Sequence, residues 1–140
     1  YVSRMDNLQA AVLNYRLDKL REVIKVRRKN AEFYIQNLDS SKITVIKEKS
    51  YQFNTYHTFV IQVKNRKKLV SYLSRKGINT AVHYPIPIHL QPAAKFLGYK
   101  KGSFPIVEKQ AKEILTLPIH QNLKRKDLIR IVQTMNNFFN

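Results

Sequence analysis

The stretch YHTFVIQVKNRKKLVSYLSRKGINTAVHY, residues 56–84, decides the fold. Its first part, YHTFVIQV (56–63), is rich in β-branched and aromatic residues and predicts a strand. Asn65 then begins an amphipathic helical segment, which Gly77 ends. INTAVHY (78–84) predicts a second strand. A strand, a helix and a strand in so short a span form a compact α/β unit.

The flanking sequence predicts one more strand and several helices. ITVIKEK (43–49) alternates between apolar and polar residues, which predicts a short strand. Pro105 is suited to the first position of a helix, VEKQAKEILTL, which ends at Pro118. PAAKFLG (92–98) predicts a short helix and LKRKDLIRIVQTMNNFF (123–139) a final one. We therefore expect an α/β domain, with a mostly antiparallel sheet of about three strands covered by helices on one face.

Upstream of this unit, residues 6–38 predict one long amphipathic helix. Asp6 can cap its start, and no Gly or Pro interrupts it. A helix of this length would span about 50 Å, which is typical of a spine between two domains or of a dimer strut. The alternative is two shorter helices with a break between Lys25 and Lys29. The apolar residues that recur at three-to-four spacing are Leu8, Val12, Tyr15, Leu20, Val23, Ala31, Tyr34, Ile35 and Leu38.

The composition limits the classes of protein that fit. The chain has 140 residues, the size of one domain, and its 44% apolar content is enough for a core. It has no cysteine, which excludes disulfides and cysteine chemistry and fits a reducing compartment. No apolar run approaches the roughly 20 residues that span a bilayer. We expect a cytoplasmic location and no membrane partner. Because the chain opens on Tyr1 and soon becomes helical, we also expect it to be a piece of a longer polypeptide.

The net charge of +17 predicts attraction to polyanions, such as nucleic acid, an anionic membrane or phosphorylated substrates. Only KVRRK (25–29) and RKDLIR (125–130) are clustered, and both lie on predicted helix surfaces. One hypothesis is therefore a basic nucleic-acid-binding or regulatory domain. The alternative is a lysine-rich proteome and an acidic partner domain. Since no base-reading motif is present, nucleic acid is the less favoured partner.

The segment HYPIPIHLQP, residues 83–92, holds three of the five prolines and two of the four histidines. Proline fixes the backbone and pushes the preceding residue to extended conformations, so the segment predicts a stiff extended arm. Such an arm would present His83 and Tyr84 at the end of a strand, where ligands commonly bind. His83 and His89 lack the close helical spacing of a zinc pair, and we expect no metal. The alternative is a packed structural loop.

Little else in the sequence indicates a self-contained enzyme. Arg4 lies immediately before the long helix, where a guanidinium can meet a phosphate or a carboxylate; the alternative is an ordinary surface arginine. No Gly-rich phosphate loop, no paired carboxylates and no Ser-His-Asp order stand out. We assign no catalytic residue within the chain.

Four segments of the sequence carry a specific pattern: SRMDNLQAAVLNYRLDKL (3–20), RRKNAEFYIQNL (27–38), GINTAVHYPIPIHLQPAAKFLG (77–98) and FPIVEKQAKEILTLPIH (104–120). In this order, they resemble the C-terminal part of the DegT–StrS family of sugar aminotransferases. The resemblance implies a fold type I enzyme that depends on pyridoxal 5'-phosphate (PLP). Such an enzyme moves an amino group, usually from glutamate, to a keto-sugar on a nucleoside diphosphate, for polysaccharide or other amino-sugar biosynthesis. It also implies a homodimer whose active sites are built from both subunits.

The same resemblance implies that residues 1–140 are the small C-terminal domain of a longer chain. Residues 1–38 would be a spine helix and residues 39–140 an α/β sandwich. The large domain, with the lysine that carries PLP and the acidic partner of its pyridine nitrogen, would lie upstream. This chain alone should then be inactive. A further hypothesis is a degenerate family member with a structural or sensory role.

Site residues follow from the resemblance position by position. Arg4 would reach into the neighbouring subunit's site, near the substrate phosphates. The position of Val2 usually holds an asparagine that touches the cofactor phosphate, and valine has no donor for that contact. Either another group supplies the contact, or this protein's subset of the family does without it. Four residues of the proline segment are expected at or near the sugar-nucleotide: His83, Tyr84, His89 and Gln91.

Overall fold

The structure is a computed structural model that describes residues 4–139 of the chain. At its centre is an antiparallel sheet with the order β1-β2-β3. Ile43 of β1 pairs with Val63 of β2, and Phe59 of β2 pairs with Leu117 of β3. The predicted α/β class, with a small antiparallel sheet and helices, is confirmed. The strands are β1 Ile43–Val45, β2 Phe59–Val63 and β3 Ile114–Leu117.

The chain also forms five α-helices and two short 3₁₀ helices within residues 4–139. The third α-helix ends as predicted, because Gly77 adopts a φ of +69°, a left-handed conformation that glycine tolerates at a helix end. The 3₁₀ helices are Ile88–Leu90 and Pro92–Leu97. The α-helices are α1 Asn7–Asp18, α2 Leu20–Asn37, α3 Arg66–Arg75, α4 Pro105–Glu113 and α5 Arg125–Asn137.

The core lies between one face of the sheet and helices α2, α3 and α5. Alternate residues of β2 point into it, as the strand period of two requires, and Phe59 and Ile61 are almost fully buried. Tyr34 of α2 packs its ring 5.0 Å from that of Phe59 and donates its hydroxyl to the Pro118 carbonyl at 2.9 Å. Burial raises the pKa of Tyr34. Each large apolar side chain buried here contributes about 1.5–3 kcal/mol. From α5 come Leu128, Ile131, Val132 and Met135.

Two predicted elements differ from the structure around β3. The predicted helix up to Pro118 is wrong in its second half, because α4 ends at Glu113 and ILTL forms β3 instead. Pairing with β2 and burial of the strand override the local helical pattern. Conversely, residues 78–84 do not form a strand, and only Ala81 makes an isolated bridge, to Thr116 of β3.

The long N-terminal helix and the first strand are also shorter than predicted. The helix is interrupted at Lys19, where α1 gives way to α2, and not between Lys25 and Lys29. No residue of α1 is buried, whereas Tyr34 and Ala31 secure α2 to the core. The role of this helix pair as a spine or strut stays a prediction. The strand predicted at residues 43–49 extends only over β1.

Candidate functional site

The proline segment, residues 83–92, leaves the sheet just after the bridge between Ala81 and Thr116. Pro87 has extended backbone angles, as does Gln91. Between them the chain forms a short 3₁₀ turn, and a second begins at Pro92. The segment is therefore free of α-helix and strand, as its prolines predict, but its second half is turned and not extended.

The first two residues of the proline segment stand at the surface. Nδ1 of His83 lies 3.0 Å from Oγ1 of Thr116, a buried residue of β3, while the His83 side chain remains exposed. Tyr84 is 72% exposed, and its ring meets that of His83 edge-on at 5.5 Å. An imidazole and a phenol are thus presented together, two and three residues after the bridge that joins Ala81 to β3.

The second half of the proline segment faces inward. His89 is only 8% exposed, and its Nε2 lies 3.1 Å from Oε1 of Glu108. Its ring packs edge-on against Phe104 at 4.9 Å. Gln91 donates its amide to the Ile86 carbonyl at 3.3 Å. Substrate contact by His89 and Gln91 stays a prediction, and these surroundings favour a role in holding the segment in place.

Glu108 on α4 organises the loop beside His89, although nothing in the local sequence singles it out. Its Oε1 accepts a hydrogen bond from the Gly102 N–H at 2.7 Å and a longer one from the Phe104 N–H at 3.5 Å. The Gly102 N–H lowers the pKa of Glu108, and His89 adds to this effect, while desolvation opposes it. The carboxylate therefore fastens the proline segment to α4.

Arg4 is exposed in the segment that precedes α1, and Val2 lies outside the described residues. No hydrogen bond or ion pair joins Arg4 to the proline segment within residues 4–139. The helix that follows Arg4 leaves large apolar side chains uncovered, including Leu8 and Leu17. The chain by itself does not bring Arg4 together with His83.

Two arginines of the basic cluster at residues 25–29 form hydrogen bonds with other parts of the chain. Arg28 makes two hydrogen bonds to the Glu48 carboxylate, at 2.9 and 3.0 Å, and a third to the Asn54 carbonyl at 2.7 Å. Its guanidinium lies over the Phe53 ring at 4.4 Å. Arg27 donates to the His57 carbonyl at 3.1 Å. These arginines fasten the loop before β2 to α2, which argues against a free nucleic-acid surface there.

Every lysine within residues 4–139 is exposed in this chain. The position of the lysine that carries PLP stays a prediction. In the same part of the chain, no group of three or more histidine or carboxylate side chains could hold a metal ion.

None of the helices described within residues 4–139 is long and apolar enough to cross a membrane. The cytoplasmic location stays a prediction.

Residues 1–136 match the model of the DegT/DnrJ/EryC1/StrS aminotransferase family. The chain belongs to this family. Over 99% of its length it is 36% identical to a "Pleiotropic regulatory protein" of Geobacillus stearothermophilus, of which it covers 38%. Over 97% of its length it is 35% identical to the dTDP-3-amino-3,6-dideoxy-alpha-D-galactopyranose transaminase of Aneurinibacillus thermoaerophilus, of which it covers 37%.

Solved structures share the fold of this chain. The chain aligns with S. venezuelae DesV, a structure in complex with a ketimine intermediate, at a TM-score of 0.91 and 32% identity. The alignment covers 96% of this chain and 37% of DesV. The chain thus spans little more than a third of the length of the relatives it matches. The family predicted from the four sequence segments is confirmed.

Proposed function

We propose that this chain is the small C-terminal domain of a PLP-dependent aminotransferase that transfers an amino group to a nucleotide-linked keto-sugar, with glutamate as the donor. The observation that carries the proposal is the family match over residues 1–136. The transaminase of A. thermoaerophilus, whose name specifies a dTDP-linked amino sugar, supports the class of substrate. The amino sugar would serve polysaccharide or related biosynthesis.

The exposed pair at the start of the proline segment supports a role in substrate binding. His83 and Tyr84 offer an imidazole nitrogen and a phenolic hydroxyl, which can hydrogen-bond the hydroxyl, keto or phosphate oxygens of a sugar-nucleotide. The segment that carries them is held at its far end by the contact between His89 and Glu108. A site on a rigid support keeps the geometry that recognition requires.

Other parts of the site are proposed to come from outside this domain. PLP, when bound, supplies the chemistry of amino-group transfer, and we assign its lysine to a large domain upstream of the chain. We assign Arg4 to the substrate phosphates in the site of a second subunit, because a guanidinium makes forked hydrogen bonds with phosphate. This assignment requires a homodimer. The chain's own contribution is then to bind and orient the sugar-nucleotide.

The test uses the full-length protein that contains this chain. We expect the purified protein to show the visible absorbance of lysine-bound PLP. With glutamate, it should convert a dTDP- or UDP-linked keto-sugar into the amino sugar, detected by mass spectrometry. A full-length protein that binds no PLP, or that binds it and aminates no nucleotide-linked keto-sugar, would overturn the proposal.

A further inference from the structure

We propose that Thr116 is a positioning residue for the sugar site. Its hydroxyl donates to Nδ1 of His83 and so holds the imidazole in the tautomer that presents Nε2–H to the substrate. The proposal rests on the proposed function, because it takes His83 as a residue that faces the sugar-nucleotide. It goes further by naming the group that sets the orientation and the hydrogen-bonding role of that histidine.

The backbone around Thr116 fixes where its hydroxyl points. Thr116 lies in β3 between Leu115 and Leu117, both of which are buried in the core. Because side chains alternate along a strand, Thr116 points to the opposite face of the sheet. Its N–H donates to the Ala81 carbonyl at 2.8 Å, and the Ala81 N–H donates to the Thr116 carbonyl at 3.2 Å. Strand β3 and the residues just before the proline segment are therefore held in fixed register.

Burial of Thr116 decides which of the two groups donates. The residue is 7% exposed, and the partner of its hydroxyl within residues 4–139 is Nδ1 of His83, at 3.0 Å. If Nδ1 carried the proton, the threonine O–H would be left without an acceptor, at a cost in free energy. If the threonine donates, its O–H is satisfied and the neutral imidazole must carry its proton on Nε2. The second arrangement is the more stable.

The consequence is a defined donor at the surface. Nε2 lies on the edge of the ring away from Thr116, and no group within residues 4–139 pairs with it. The edge-on contact with Tyr84 restricts rotation of the same ring. An Nε2–H fixed in this way can donate to a hydroxyl, keto or phosphate oxygen, which are the acceptors that a sugar-nucleotide carries. Without the threonine hydroxyl, the imidazole could exchange tautomers and present a lone pair instead.

The first test compares Thr116→Val with Thr116→Ser in the full-length enzyme. Valine keeps the shape of threonine and removes the hydroxyl, whereas serine keeps the hydroxyl. We expect Thr116→Val to lower kcat/KM for the keto-sugar about tenfold, the effect of losing one hydrogen bond that positions a binding group. The half-reaction with glutamate should keep its rate. Thr116→Ser should restore most of the loss, and Thr44→Val, the same change at an exposed position of β1, should have no effect.

Two further measurements separate positioning from a merely structural role. If Thr116 acts through His83, adding Thr116→Val to His83→Gln should cause no further loss in kcat/KM for the sugar. The second measurement is ¹⁵N NMR of the full-length protein labelled at histidine, which needs no variant at Thr116. The His83 signal is the one that His83→Gln removes, and it should show the Nε2–H tautomer.

The outcomes separate this proposal from the function on which it rests. A wild-type enzyme that aminates no nucleotide-linked keto-sugar would overturn both. An active enzyme would overturn only the role of Thr116 in any of three cases: if Thr116→Val leaves sugar kinetics unchanged, if its effect adds fully to that of His83→Gln, or if His83 carries its proton on Nδ1. Should Thr116→Val fail to fold, Thr116→Ala, which also removes the hydroxyl, takes its place in the same kinetic comparison.

Discussion

The two histidines of the proline segment lie six residues apart and have opposite surroundings. His83 is exposed and meets a neutral hydroxyl, that of Thr116, through Nδ1. His89 is buried and meets a carboxylate, that of Glu108, through Nε2. One contact leaves the outer edge of the imidazole free for a ligand, and the other encloses the ring. At the start of the segment a histidine therefore offers a free ring edge to a ligand, and at the far end a histidine holds the segment in place.

The different roles of the two histidines explain why a single short segment concentrates prolines and histidines. A binding group at the surface loses affinity if its support moves, since each mobile side chain must be ordered on binding. Here the prolines limit the backbone, and the contact between His89 and Glu108 closes the far end of the segment onto α4. The difference between the two histidines can be tested by substituting each in turn.

The largest effect should come from His83→Ala in the full-length enzyme. We expect kcat/KM for the keto-sugar to fall about 100-fold, which is the scale for losing a strong hydrogen bond between the protein and its substrate. Because His83 is exposed and its one hydrogen-bond partner is the Thr116 hydroxyl, the melting temperature should fall by only a few degrees, which corresponds to about 1 kcal/mol. Steady-state kinetics and a thermal melt check the two parts. A large drop in melting temperature would indicate that the segment is only a packed loop.

The next effect should come from His89→Ala, and on stability more than on binding. Removing a buried, hydrogen-bonded ring should lower the free energy of unfolding by about 2 kcal/mol, because Glu108 and Phe104 lose their partner. The melting temperature of the full-length protein measures this effect. His57→Ala, at an exposed histidine, is the matched control and should change the melting temperature little. Equal effects from the two substitutions would contradict a fastening role for His89.

A smaller, pH-dependent effect should come from Glu108→Gln. Because the pKa of Glu108 is lowered in the folded protein, its ionised form stabilises the fold above the ordinary pKa of 4.5. That stabilisation is lost as the pH falls through the lowered value. Melting temperatures of the wild type and of Glu108→Gln should therefore differ at neutral pH and converge in acid. A difference that stays constant across this range would show that the charge of Glu108 does not contribute.

The smallest effect should come from Gln91→Ala. Its amide makes one long hydrogen bond, 3.3 Å, to the Ile86 carbonyl within its own segment. We expect the melting temperature to be near that of the wild type and sugar kinetics to change less than threefold, on the order of 0.5 kcal/mol. A loss as large as that of His83→Ala would place Gln91 directly against the substrate.

The sequence predicted the local parts of this arrangement and missed the long-range ones. Prolines act on their immediate neighbours, so the absence of α-helix and strand at residues 83–92 follows from the chain itself. Glu108 and Thr116 lie far along the chain from their histidine partners, and only folding brings them together. The strand β3 was missed for a related reason, since ILTL continues a helical pattern and becomes a strand by pairing with β2.

We propose that His83 meets the sugar-nucleotide while His89 holds the segment that carries it. The most direct measurement is the single-turnover rate of the sugar half-reaction, compared with that of the glutamate half-reaction, in wild type, His83→Ala and His89→Ala at a temperature where all three are folded. We predict that His83→Ala slows the sugar step alone by about 100-fold and that His89→Ala slows it far less. Equal slowing of both half-reactions in His83→Ala, or no slowing of either, would contradict the account.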